Sequence, residues 1–113
     1  MKIVLTAKGE DWSCKMDERF GRAEIFVCYN EETNELSSIS NIGVDTMEHG
    51  AGLQTAQKVL DLSPDVIITG NGAGNKALAI LQKSNVKVYI GAGNMTLKEA
   101  YEAYKNNKLQ LQF

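Results

Sequence analysis

"DVIITGNGAGNKALAIL", residues 65–81, decides the fold. "DVIITG" (65–70) is a short apolar run rich in β-branched residues, the pattern of a buried strand. "NKALAILQKSN" (75–85) places Ala77, Leu78, Ile80 and Leu81 at helical spacing. Three alternating glycines, Gly70, Gly72 and Gly74, join the two. A strand passing through a glycine turn into a helix is the opening of a parallel crossover, so the class is α/β.

The same alternation continues on both sides. Upstream, Leu53, Ala56, Val59 and Leu60 predict a helix that Pro64 ends. Downstream, "VKVYIG" (86–91) predicts a strand, and "TLKEAYEAY" (96–104) a helix. That helix opens on the capping box Thr96/Glu99 and buries Leu97, Ala100, Tyr101 and Tyr104. Near the start, "KIVLTA" (2–7) and "EIFVCYN" (24–30) read as strands; "EETN" (31–34) is a turn, and "ELSSISNI" (35–42) a weaker third strand near an edge. "KLQLQF" alternates enough to form a small extra strand. The order is β-β-β-α-β-α-β-α, without repeats, linkers or low-complexity segments.

The 113 residues suit one domain, 1–113. Hydrophobic residues at 43% and charged residues at 23% are ordinary globular values. A net charge of −2 gives no global reason to expect nucleic acid or an anionic membrane as partner. The apolar run in "MKIVLTAKGE" is too short for a secretory signal. No run approaches the about 20 residues of a membrane span, so a cytoplasmic location is expected. Cys14 and Cys28 form no CxxC pair and are expected to be reduced. A disulfide between them would have to reach from a loop to a strand interior, beyond the roughly 7 Å limit. Two thiols cannot supply the about four of a conventional iron–sulfur cluster. A cluster bound here would be self-contained or shared between chains.

Strand directions gather the unusual residues. The short 31–34 turn makes the second and third strands an antiparallel hairpin. With the second strand antiparallel to the first, helical crossovers make the fourth and fifth parallel to the third. One end of the sheet then receives loops 8–22, 43–50, 70–75 and 91–96. These carry "DERFGRA" (17–23), "HGAG" (49–52), "GNGAGN" (70–75) and "GAGN" (91–94). Ligands of open α/β sheets bind outside the carboxyl ends of the strands.

Each cluster has a binding reading and a plainer one. Gly50 and Gly52 bring backbone N–H groups near a ligand at a helix N-terminus, where an anion is favoured. His49, the sole histidine, adds a metal ligand or a donor; the plainer reading is a turn with a surface histidine. "GNGAGNKA" is neither a Walker A loop nor G-x-G-x-x-G. Its Gly72, Gly74 and Asn75 either bind an anion or pack a turn tightly, and Lys76 is disfavoured near a helix N-terminus unless an anion compensates. Arg19 and Arg22 offer bidentate donors to an oxyanion, or pair with Asp17 and Glu18. Phe20 reads as a core anchor. Cys14 could give a thiolate or be incidental to its loop; Cys28 reads as core.

In this order and spacing, "DERFGRAEIF", "HGAG", "DVIITGNGAGNKALAIL" and "VKVYIGAG" resemble the nitrogenase iron–molybdenum cofactor-binding family, with its small orange-protein-like members. The resemblance covers nearly the whole chain. It implies a ribonuclease H-like three-layer fold, with a five-stranded mixed sheet of order 3-2-1-4-5, strand 2 antiparallel, and three helices. It implies that His49 helps hold a preassembled, anionic metal–sulfur cluster of an iron–molybdenum or molybdenum-containing type. The expected protein is a non-enzymatic carrier or chaperone, a monomer or weak homodimer, with cluster donor and acceptor proteins as partners.

Two other classes compete. A regulatory module binding a nucleotide or small oxyanion would use the same amides. A hydrolytic enzyme fits less well. "KIVLTA" holds no carboxylate for a nuclease metal, the 70–75 loop holds none for phosphoryl transfer, and His49 has no evident nucleophile beside it.

Overall fold

The computed structural model describes residues 1–43 and 50–112. In chain order the elements are β1 (Lys2–Ala7), β2 (Ile25–Asn30), β3 (Glu35–Ser40), α1 (Ala51–Leu60), β4 (Val66–Ile68), α2 (Asn75–Lys83), β5 (Lys87–Ile90), α3 (Leu97–Lys105) and β6 (Gln110–Leu111). They form one mixed sheet of order β3-β2-β1-β4-β5-β6. β2 runs antiparallel to β1 and β3, β4 is parallel to β1, and β5 is parallel to β4. The expected directions hold. The expected count of five strands is one short, because the tail adds β6 antiparallel on the β5 edge.

β1 is buried on both sides, which is why it reads as an unbroken apolar run. Ile3, Leu5 and Ala7 join Val27, Val66 and Ile68 beneath Leu97 and Ala100 of α3. Val4 points the other way, joining Phe26, Ile67 and Val88 beneath Ala56 and Val59 of α1 and Ala77 and Leu81 of α2. The result is three layers, with α1 and α2 on one face and α3 on the other. Phe20 anchors its loop in the first of these cores, edge-on to Phe26 at 5.7 Å between ring centroids. Each fully buried aliphatic or phenylalanine side chain contributes about 1.5–3 kcal/mol, so the two cores are the main force holding the helices on the sheet.

The α3 layer also holds the long 8–17 loop. Met16 N–H donates to Met95 O at 2.9 Å, and short bridges pair Ala7 with Met16 and Lys15 with Thr96. Trp12 packs from this loop against Tyr29 and Tyr101. Both cysteines are free thiols: Cys28 is buried in β2, and burial pushes its pKa up.

Candidate functional site

β1, β3, β4 and β5 all end on the same side of the sheet, and the loops that follow β1, β4 and β5 are packed backbone to backbone. Asp17 N–H donates to Thr6 O and Asn71 N–H to Glu18 O, at 2.9 and 2.8 Å; Gly91 N–H donates to Gly70 O at 2.9 Å. Gly70 owes its identity to this crowding, since a Cβ there would lie 2.6 Å from Glu18 Cα and 2.9 Å from Gly93 Cα. The plainer reading of the 70–75 loop, tight packing, is what the structure shows at Gly70, and Gly93 is crowded by the same residue, a Cβ there lying 3.3 Å from Glu18 Cβ.

A second close approach builds the candidate site. A Cβ on Gly21 would lie 3.2 Å from Gly52 Cα and 3.3 Å from Gly52 N, so the "DERFGRA" loop rests on the first turn of α1. On its other side, a Cβ on Gly52 would be 3.7 Å from Ala77 Cβ, in the first turn of α2. The N-termini of α1 and α2 therefore meet at one place, beside residues 19–22. Thr55 ties them further: its hydroxyl donates to Gly21 O at 3.0 Å and accepts from Asn41 Nδ2 at 3.2 Å. Asn41 Nδ2 also donates to Ala23 O at 2.9 Å, while Asn41 Oδ1, fully buried, has no hydrogen-bond partner among the described residues. Asn41 and Thr55 are positioning residues that the sequence did not single out, and Gly21, legible only as a turn, is a third. A threonine inside a helix and an asparagine after a strand carry no recognisable signal.

The three helix N-termini differ in how they are satisfied. In α3 the Thr96 hydroxyl accepts from Glu99 N, the Glu99 carboxylate accepts from Thr96 N, and the N–H groups of Leu97 and Lys98 donate to Cys14 O and Trp12 O. Every amide of that first turn has an acceptor. α1 and α2 begin on glycines, Gly50 and Gly74, and have no acidic residue in the first turn. Among the described residues no acceptor meets the N–H groups of Ala51, Gly52, Asn75 or Lys76. Gly50 takes φ 79°, a left-handed conformation that favours glycine, and nothing lies within 4 Å of where a Gly74 Cβ would stand. Two adjacent helix ends with unmatched donors and partial positive charge form an anion-receptive surface.

The remaining sequence-predicted site residues separate. His49 lies outside the described residues, immediately before Gly50. Arg19 sits in the right loop but its guanidinium is committed: Nε and one terminal nitrogen donate to the Asp17 carboxylate at 3.0 and 2.9 Å. Asp17 is fully buried, and burial works against its charge. The Arg19 bonds outweigh that, so its pKa lies below the usual carboxylate value. Arg22 is half-buried in the same loop. Asn75 and Lys76 are exposed at the start of α2. Gly72 borders the site, but its open side is filled by the Gln112 side chain. Cys14 is placed by other contacts: its sulfur packs on Gly9 and its carbonyl accepts Leu97 N–H at the start of α3, on the opposite face of the sheet.

Among the described residues no group of three His, Cys, Asp or Glu side chains converges on a point. Of five concavities found among the described residues, none is lined by the first turns of α1 or α2, and two stand out. One of about 410 Å³ is lined by Trp12, Lys98, Tyr101 and Glu102 on the α3 face. The other, about 300 Å³, lies between Lys2, Cys28 and Asp61 at the opposite end of the sheet. No helix among the described residues is long and apolar enough to cross a membrane.

Fold and loops together define a three-layer α/β protein in which two helix N-termini meet at one end of the sheet. The chain belongs to the dinitrogenase iron-molybdenum cofactor family, whose sequence model matches residues 1–107. Among solved structures it is similar to the apo form of the orange protein from Desulfovibrio gigas, at 30% identity over 97% of this chain and 91% of that chain, with a TM-score of 0.90. It is also similar to a putative NifB protein from Thermotoga, at 28% identity over 96% of this chain and 90% of that chain, with a TM-score of 0.82. No curated protein matches the sequence.

Proposed function

We propose that this protein is a non-enzymatic carrier that holds an anionic metal–sulfur cluster, of the iron–molybdenum or a related molybdenum-containing type, where α1 and α2 begin. The observation that carries this reading is the contrast among helix ends. The first turn of α3 is fully capped, whereas among the described residues the first-turn amides of α1 and α2 meet no acceptor, and neither first turn holds an acidic side chain. A preassembled cluster brings its own sulfide ligands, so it needs few protein side chains and gains from amide donors and helix dipoles. Family membership and the likeness to the orange protein support cargo of this chemistry. His49, directly before Gly50, is the side chain we assign to contact the cluster. A carrier of this kind works between a donor and an acceptor protein in the cytoplasm. Its three-layer arrangement is of the ribonuclease H-like kind.

The test is titration of the purified protein with tetrathiomolybdate, a soluble molybdenum–sulfur anion, beside inorganic phosphate. Saturable binding of the thiomolybdate in preference to phosphate is expected, weakened by about tenfold or more in His49→Ala with little change in melting temperature. Phosphate bound as tightly would favour the oxyanion-sensing alternative, and no binding of either would overturn the site.

A further inference from the structure

The glycine loop 70–74 is gripped from the sheet edge by a residue beyond the family match, which ends at 107. Gln112 follows β6, and its own N–H donates to Val88 O at 2.7 Å, so its backbone is docked on β5. Its side chain then pairs with both polar groups of Ala73: Oε1 accepts the Ala73 N–H at 3.0 Å, and Nε2 donates to Ala73 O at 3.2 Å. One carboxamide thus does for Ala73 what a neighbouring strand would do. Gly72 makes room for it. Its φ is +92°, and a Cβ there would stand 2.8 Å from Gln112 Oε1.

We propose that Gln112 is a positioning residue: by clamping Ala73 it holds loop 70–74 in the form that presents the first-turn amides of α2 to the anionic ligand. Ala73 is buried and directly precedes Gly74, the residue from which α2 starts, so fixing it fixes where the helix begins. A loop with Gly70, Gly72 and Gly74 has many conformations to lose, and without the clamp the ligand must order it at the expense of affinity. The amide is needed at both ends. Glutamate could still accept from Ala73 N–H, but it would face Ala73 O with a second acceptor. Alanine makes neither bond. The clamp itself is independent of what the site binds; its effect on affinity rests on the carrier reading.

The test uses the full chain and two readouts. Amide hydrogen exchange at Ala73, whose N–H the clamp holds, reports the loop, with β1 amides as the measure of global stability; tetrathiomolybdate titration reports the site. Gln112→Ala and Gln112→Glu are compared with Gln110→Ala, a change two residues earlier, in β6, at an exposed side chain without a partner among the described residues. Faster exchange at Ala73 in both Gln112 variants, unchanged β1 protection, and affinity about tenfold lower (about 1.4 kcal/mol) with wild-type behaviour in Gln110→Ala are the expected results. Wild-type exchange at Ala73 in Gln112→Ala would overturn the clamp. Faster exchange with unchanged affinity would overturn its role in presenting α2. If the wild type fails to bind tetrathiomolybdate, the carrier reading falls, and exchange at Ala73 alone still decides for or against the clamp.

Discussion

Asp17 is the one fully buried carboxylate among the described residues, and Arg19 answers it twice. That pairing turns an arginine with the look of a ligand donor into part of the frame. The Arg19 backbone N–H also donates to Asp17 Oδ1, so Arg19→Met removes the side-chain half only. With the half-exposed guanidinium screened by water, the expected loss of stability at neutral pH is about 1–3 kcal/mol. The folded pKa of Asp17 lies below its unfolded value, so its contribution is present above the unfolded pKa, near 4, and is lost as pH falls through the folded one. Melting temperatures of wild type and Arg19→Met should therefore converge as pH drops below about 4. A gap that stays constant through the acid range would show that Arg19 does not hold the Asp17 charge. At this scale the sequence was ambiguous for a physical reason. "DERFGRA" contains both the arginines and the acids that can absorb them, and only the fold shows that Arg19 answers Asp17.

Among elements, the informative difference is between α3, whose first-turn amides all have acceptors, and α1 and α2, whose first-turn amides meet none among the described residues. The Thr96/Glu99 box was legible in the sequence because capping is local, written in residues three apart. The open ends of α1 and α2 were half legible. The glycines announced close backbone approach, but spacing glycines such as Gly21 and Gly70 look the same in sequence as ligand-facing ones such as Gly74. Charge gives a way to separate stability from binding. Asn75→Asp sets a carboxylate in the uncapped first turn of α2, where the helix dipole should stabilise the fold by about 0.3–1 kcal/mol. The same charge repels an anionic ligand. The expected variant melts slightly higher and binds tetrathiomolybdate more weakly, seen by calorimetry and titration on one sample. A variant that melts higher and binds as tightly as wild type would place the ligand away from the α2 terminus.

For the whole molecule, hydrophobic period and turn length were enough to find β1 to β5, to give their directions and to place the loops together, because crossovers and short hairpins leave few topologies; their order in the sheet came from the family resemblance. β6 was visible only as a faint alternation. A strand of two residues has no window long enough for a period, and its support is non-local: the β5 edge, and Ala73 through Gln112. The Asn41–Thr55–Gly21 tie was invisible for the same reason, since its members lie far apart in the chain. What the fold produces is a single end where α1, α2 and the 19–22 loop meet, and the central claim is that an anionic metal–sulfur cluster binds there. Backbone amide chemical shifts, followed by NMR as tetrathiomolybdate is added, test it most directly. The account predicts saturable shifts concentrated at 50–53, 74–77 and 19–22, with the amides of Leu97 and Lys98 at the capped α3 terminus unmoved. Shifts centred instead on Trp12, Lys98 and Tyr101, or on the Lys2–Cys28–Asp61 concavity, would contradict it.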